Sequence, residues 1–312
     1  MSRPIFILAP MDDVTDTVFR QVIASIAAPD EFFTEFVNVD GLQSPGRKEV
    51  SKKLRFTDNE KPLVAQLWGK IPENYRKTAS ELVEMGFDGI DINMGCPVKT
   101  VIKNGCCSAL ISNRDLAKEI IEATKLGANG KLPVSVKTRL GQNEIDYSWI
   151  RFILEQDLDR LTIHARTVKD MSKVPARWEA MTEVVRLRNE ISPRTQIILN
   201  GDVESVEQGN ELAEKYGVDG IMIGRGIFHD PFLFSGTDKW TNFTKADKIE
   251  LFKKHINLFD ETWGTTRRVH VLNKFCKVYI EGFDGAKDLR EKLMVADDVG
   301  ELLNILDNSL LQ

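Results

Sequence analysis

No apolar run in this chain approaches the roughly 20 residues that a membrane span needs, and no low-complexity tract interrupts it. Cysteine is scarce. The four present, Cys96, Cys106, Cys107 and Cys276, form neither a CxxC nor a CxxH pair. That argues against a disulfide framework and against a structural zinc or other metal site, and free thiols are expected. Surplus positive charge is also missing, with 42 Lys and Arg against 47 Asp and Glu for a net charge of -5. A nucleic-acid partner would therefore require basic residues gathered locally. The first residues, MSRPIFILAPM, hold only a four-residue apolar run before Pro10, with Asp12 and Asp13 directly after. This does not read as a secretory signal, and a monomeric cytoplasmic protein is expected.

Short runs rich in aliphatic and β-branched residues alternate with longer stretches of helical period. Eight such runs are expected as strands, at 5–8, 32–37, 63–67, 89–93, 134–138, 160–164, 197–200 and 220–223. Helices are expected between them, at 15–26, 73–85, 114–126, 146–155, 180–189 and 205–216. Ser205 reads as an N-cap, with Gln208 completing a capping box. Repeated βα units imply a parallel sheet, and eight of them favour a closed (β/α)8 TIM barrel. After Pro231 the strand signal stops. Apolar residues recur at helical spacing, as in Ile249, Phe252, Ile256 and Phe259. The expected organisation is a barrel over 1–240 and an all-helical domain over 241–312, with a linker at 236–244. Residues 245–280 carry eight basic against four acidic residues, and the remainder three against eight. These are either ordinary solvated helix faces or a basic surface set against an acidic tail.

In a parallel barrel the loops after the strands build the site. The stretch D-G-I-D-I-N-M-G-C-P at 88–97 holds Cys96 just beyond a strand end. Cys96 is either a small buried hydrophobe or a reactive thiol. Ala9, Pro10 and Met11 follow the first strand, Gln66 lies near the end of the third, and Asn93 closes the fourth. Lys137 with Arg139, and His164 with Arg166, stand on the next two. Lys137 reads as a cap on the barrel or, better, as a cation for an electron-rich cofactor ring. His164 is a core histidine or, with Arg166, part of an anion site. N-G-D at 200–202 and G-R-G at 224–226 suit a phosphate held by main-chain amides after the last two strands.

Taken together these residues resemble the tRNA-dihydrouridine synthases. The motifs are A-P-M at 9–11, T-E-F-V-N-V-D-G-L at 34–42, D-I-N-M-G-C-P at 91–97, S-V-K-T-R-L-G at 135–141, H-A-R-T at 164–167, N-G-D at 200–202 and M-I-G-R-G-I-F at 222–228. The resemblance implies an FMN-bearing barrel, a helical tRNA-binding domain and reduction of uridine to dihydrouridine, with NADPH as reductant. It implies that Pro10, Met11, Gln66, Lys137 and His164 border or bond the flavin, and Asn93, a polar strand end, is able to bond the flavin or the base. Asn200, Gly201, Asp202, Gly224 and Arg225 would hold its phosphate. Cys96 would be the proton donor, and a thiol with an ordinary pKa of about 8.5 would be protonated at neutral pH. Lys99, Lys103, Arg139, Arg166, Lys169 and Lys173 on the loops, with Arg267, Arg268, Lys274 and Lys277 in the helical part, are the candidate tRNA contacts. The order of the C-terminal helices resembles the bacterial branch acting on position 16 of the D-loop.

The chain departs from the family's usual pattern at Ala165 and Met171, where tRNA contacts are expected, and at Gly105, Cys106 and Cys107. The vicinal thiols are oxidation-sensitive or, more simply, fill space. Two other readings compete: an FMN oxidoreductase of the dihydroorotate dehydrogenase kind acting on a free pyrimidine, and a non-catalytic tRNA-binding protein. Neither accounts for the basic helical segment together with Cys96.

Overall fold

A computed structural model describes residues 3–311. Nine strands lie in chain order: β1 (Ile5–Leu8), β2 (Glu31–Phe33), β3 (Val37–Asn38), β4 (Leu63–Trp68), β5 (Gly89–Met94), β6 (Val134–Arg139), β7 (Arg160–His164), β8 (Gln196–Asn200) and β9 (Gly220–Ile223). All pair in parallel, each with its neighbour in sequence except around β3. The sheet closes because β1 pairs with β9 as well as β2, and β2 pairs with β4. The barrel therefore has eight staves. The second is broken in two, where a single strand over 32–37 was expected. Thr34 causes the break: its hydroxyl donates to the Glu35 carbonyl (2.7 Å) and accepts from the Gln66 amide (3.0 Å). A side chain thus takes a bond that a ladder would have supplied.

Alternation along each strand separates two layers. Ile7, Ala9, Phe33, Val64, Ile198 and Met222 point inward as one cluster, and the opposite faces bury Phe6, Leu8, Leu63, Ile90, Ile92 and Val136 under the helices. Burying a Leu, Ile or Phe is worth roughly 1.5–3 kcal/mol. The continuous outer layer therefore carries most of the stability, and the inner face near the top of the barrel can hold polar groups.

The barrel helices begin where capping side chains permit. Asp16, Asn113, Asp146 and Ser205 each accept an amide of the first turn. The capping box at Ser205 is half as expected. The Gln208 amide donates to Ser205 (3.0 Å), but the Gln208 side chain accepts from Glu204 N instead (2.8 Å). After β9 the chain is helical only, with Lys245–Trp263, Asn273–Tyr279, Ala286–Leu293 and Val299–Leu310. The stretch expected as a linker is packed: Trp240 is buried and stacks with Phe232, while Phe243 meets Phe232 edge-on. These helices dock on the first barrel helix, Thr17–Ala27, through Phe275 stacked on Phe19 at 5.2 Å. Among the described residues, no helix is long and apolar enough to cross a membrane.

Candidate active site

The carboxyl ends of the strands enclose a cavity of about 380 Å³, open at the rim and lined from nearly every stave. Its inward-facing residues follow the alternation: Ala9 from β1, Gln66 from β4, Asn93 from β5, Lys137 from β6, His164 from β7 and Asn200 from β8. Pro10 and Met11 form one wall, and Thr15 pins the Met11 amide at 2.9 Å. Next to Met11, on the loops after β8 and β9, Gly201, Asp202, Gly224 and Arg225 complete the lining. Gly201 has φ 122°, and a Cβ there would stand 3.1 Å from the His164 ring. Only glycine brings the main chain this close. Every residue that sequence reasoning gave to the cofactor therefore lines this one cavity.

A buried relay positions Cys96. Asp91, fully buried beneath the cavity floor, accepts from Ser135 (2.6 Å) and from the Gln66 amide nitrogen (2.8 Å). The Gln66 oxygen then accepts from Asn93 Nδ2 (2.9 Å). This orients Asn93 so that its Oδ1 accepts the amides of Gly95 (3.1 Å) and Cys96 (3.0 Å). Burial raises the Asp91 carboxyl to about 6, against the hydrogen bonds that hold it down. Asp91 was missed in the sequence, although its place two residues before Asn93 puts it on the same inward face.

Lys137 is half-buried and, among the described residues, forms neither a hydrogen bond nor an ion pair. Burial, reinforced by Arg139, lowers its ammonium to about 8, so it remains mostly charged at neutral pH. His164 is driven far below its ordinary range by burial and by Lys137, Arg139 and Arg166, and it is neutral. Arg166 Nη1 lies 3.0 Å from His164 Nε2. An arginine can only donate, so Nε2 accepts and the proton sits on Nδ1. Asp202 bonds Arg166, accepts the Ala176 amide (2.9 Å) and pairs with Arg225 (3.1 Å). Its carboxylate holds two arginines in place, since a carboxylate cannot itself attract an anion. Four cations line the cavity against Asp202 and Glu204, which suits an electron-rich or anionic ligand.

Cys96 is half-buried on the cavity wall. The expectation of an ordinary thiol is corrected. A hydrogen bond donated by the Cys107 thiol, with the Val98 amide and the Arg139 charge, pulls Cys96 down to about 6 against its burial. Cys107 is pushed well above its ordinary range by the same bond and by burial.

The candidate tRNA contacts divide. Lys99, Lys103, Lys169, Lys173, Arg268 and Lys277 are exposed. Arg139 is not available for a surface phosphate: it is buried, and it donates to the carbonyls of Gly95 (2.9 Å), Thr167 (3.0 Å) and Met171 (2.9 Å), tying two rim loops together. Arg166 is buried inside the cavity. Arg267 pairs with Asp16 (2.6 Å), and Lys274, though exposed, donates to the Asp13 carbonyl (2.7 Å). Both dock the helices onto the loop that carries Pro10 and Met11. No group of three or more potential metal ligands is present among the described residues.

A family profile described as "Dihydrouridine synthase (Dus)" matches residues 7–312. A protein of Staphylococcus aureus (strain COL) named "Probable tRNA-dihydrouridine synthase" is 48% identical over 311 residues, covering 98% of this chain and 93% of its own length. "Probable tRNA-dihydrouridine synthase 2" of Bacillus subtilis (strain 168) is 46% identical over 312 residues, covering 99% of this chain and 94% of itself. Among solved structures, the barrel resembles histamine dehydrogenase from Rhizobium sp. 4-9, with a TM-score of 0.53 at 13% identity. That match covers 81% of this chain and 48% of the other. An amine oxidase from Pseudomonas geniculata N1 matches with a TM-score of 0.57 at 9% identity over 99% of this chain and 64% of the other. At these identities the two structures speak for the fold alone.

Proposed function

The chain belongs to the dihydrouridine synthase family, and from that premise we propose that it reduces the 5,6-double bond of uridine in tRNA, with FMN in the rim cavity and Cys96 as proton donor. The observation that carries this reading is the unpaired Lys137 ammonium in the same cavity as a thiol fixed by the Asp91–Gln66–Asn93 relay. The residues fit a flavin: the cavity is lined with cations, Lys137 has no partner of its own, and Gly201 admits a close main-chain approach. Lys137 and the His164 Nδ1–H would face the ring's electron-rich end. Arg225 and the amides beside Gly201 and Gly224 would hold the phosphate. The chemistry a bound FMN would supply here, once reduced by NADPH, is a hydride for carbon 6 of the base.

Carbon 5 then needs a proton, and Cys96 Sγ is the group placed to give it. In the open site this thiol ionises readily. A base closing over it excludes water and disfavours the thiolate, so Cys96 takes up a proton on closure and holds it until transfer. Drawing the uridine out of the folded tRNA costs a few kcal/mol. Phosphate contacts from Lys99, Lys103, Lys169, Lys173, Arg268 and Lys277 offset it. The reaction takes place in the cytoplasm. Cys96→Ala tests the donor: it should retain FMN absorbance and tRNA binding while dihydrouridine formation falls by about 10²–10⁴-fold. Unimpaired turnover would remove Cys96 from the chemistry.

A further inference from the structure

Adjoining the rim cavity, and sharing Phe36 and Cys96 with it, lies a second, mainly apolar cavity of about 300 Å³. Its walls include Phe36, Trp68, Val98 and Val101, and both Cys96 and Cys107 border it. We propose that Cys96 and Cys107 form an oxidation site, in which a hydroperoxide joins the two sulfurs as an intramolecular disulfide. The bond itself rests only on the two thiols; its consequence, loss of turnover, rests on the proposed donor role of Cys96.

Two observations bring the thiols together. Cys96 and Cys107 border the same cavity, and the pull of Cys107 on the Cys96 thiol agrees with that proximity. The two segments are pinned side by side, since the Ser108 hydroxyl donates to the Cys96 carbonyl at 2.8 Å. Cys107 occupies φ 53°, a left-handed conformation that favours glycine, so a side chain stands here where the backbone asks for none. Cys106 does not compete, because its sulfur is directed at the Asn104 carbonyl, 3.8 Å away.

The chemistry balances. The Cys96 thiolate attacks one peroxide oxygen, the O–O bond breaks, and the departing oxygen takes a proton to leave as water or alcohol. Cys96 is now a sulfenic acid, oxidised by two electrons while the peroxide is reduced. The Cys107 sulfur attacks the Cys96 sulfur, the S–S bond forms and the S–O bond breaks. Hydroxide leaves and takes the Cys107 proton as water. A dithiol reductant reverses the bond by exchange. Without a partner the sulfenic acid proceeds to sulfinic acid, which dithiols do not reverse, so Cys107 converts an irreversible loss into a reversible one.

The test treats the full-length protein with hydrogen peroxide, blocks free thiols, digests it and maps the cysteines by mass spectrometry. The expected product joins the Cys96 and Cys107 peptides, is released by dithiothreitol, and tracks the loss and recovery of dihydrouridine formation. Cys107→Ala should abolish that recovery and accumulate sulfinic acid at Cys96, whereas Cys106→Ser should still form the bond. Sulfinic acid at Cys96 beside a free Cys107 in the wild type, or a bond between Cys106 and Cys107, would overturn the proposal. A Cys96–Cys107 bond that leaves turnover intact would establish the pair and overturn the donor role.

Discussion

The two ends of the barrel treat buried polarity in opposite ways. At the amino-terminal end it is matched. Asp30, Asp88, Asp159 and Asp219, each directly before a strand, accept an amide at the start of the preceding stave: Phe6 N (2.8 Å), Leu63 N (2.8 Å), Val134 N (2.8 Å) and Ile197 N (2.7 Å). Arg160 bonds Glu31, and Arg188 pairs with Asp219 at 2.8 Å. At the carboxyl end Lys137 has no partner among the described residues, burial and four cations keep His164 neutral, and Cys96 is ionised more readily than its burial alone would allow. A charge held unpaired costs stability, so its presence on one end alone marks where a ligand completes the structure. The matched end is scaffold.

Three substitutions would break or sharpen that contrast. The largest effect is expected for Lys137→Met, which removes the unpaired cation. FMN affinity should fall roughly 10–100-fold, the loss of one charge-assisted contact, while the flavin-free protein gains stability. The sign follows from the lowered pKa: between about 8 and the ordinary lysine value of 10.5 the unfolded chain binds more protons. Wild-type stability therefore rises with pH across that window. The gain from Lys137→Met should accordingly be full at pH 7 and shrink toward pH 10. Titration of FMN and chemical denaturation at both pH values check it, and unchanged FMN affinity would remove Lys137 from the flavin site.

Asp219→Ala attacks the other end, leaving Ile197 N without its acceptor and Arg188 without its partner. A loss of roughly 2–3 kcal/mol is expected, read by urea denaturation, with flavin content and turnover per folded molecule unchanged. A variant as stable as wild type but low in flavin would erase the distinction between the two ends. The smallest effect is expected for Asp91→Asn, beneath the site. The native carboxyl, raised from 3.8 to about 6, binds its proton more tightly than the unfolded one. Wild-type stability therefore falls as pH rises from about 4 to 6. The amide keeps partners for Gln66 and Ser135 without the charge. It should be roughly 1–2 kcal/mol more stable than wild type at pH 7 and equal to it near pH 4. A difference independent of pH would show that ionisation of Asp91 is not its source.

Much of the site was legible because strand alternation and loop position are local properties. Gln66, Asn93, Lys137, His164 and Asn200 recur on one face of their strands, and Gly201 and Gly224 follow the last two staves. Asp91 obeyed the same rule but was passed over, since an acid in an apolar run has no visible partner until Ser135 and Gln66 arrive from neighbouring strands. The broken second stave was missed for a related reason: Thr34 suits a strand by propensity, and only the approach of Gln66 N gives its hydroxyl an alternative.

By itself, then, the sequence determined the eight-stave barrel, the helical segment after it and the ring of residues at the strand ends. These follow from periodicity and from motifs, which neighbours in the chain define. Tertiary structure alone decided which charges are free. Arg139, Arg267 and Lys274 count as cations in any composition, yet carbonyls of other loops and the carboxylate of Asp16 already engage them. It also decided that Cys107, eleven positions beyond Cys96, borders the same cavity. The strength of a charge or a thiol depends on what surrounds it in space and on how much water remains, and the fold brings those surroundings from distant parts of the chain.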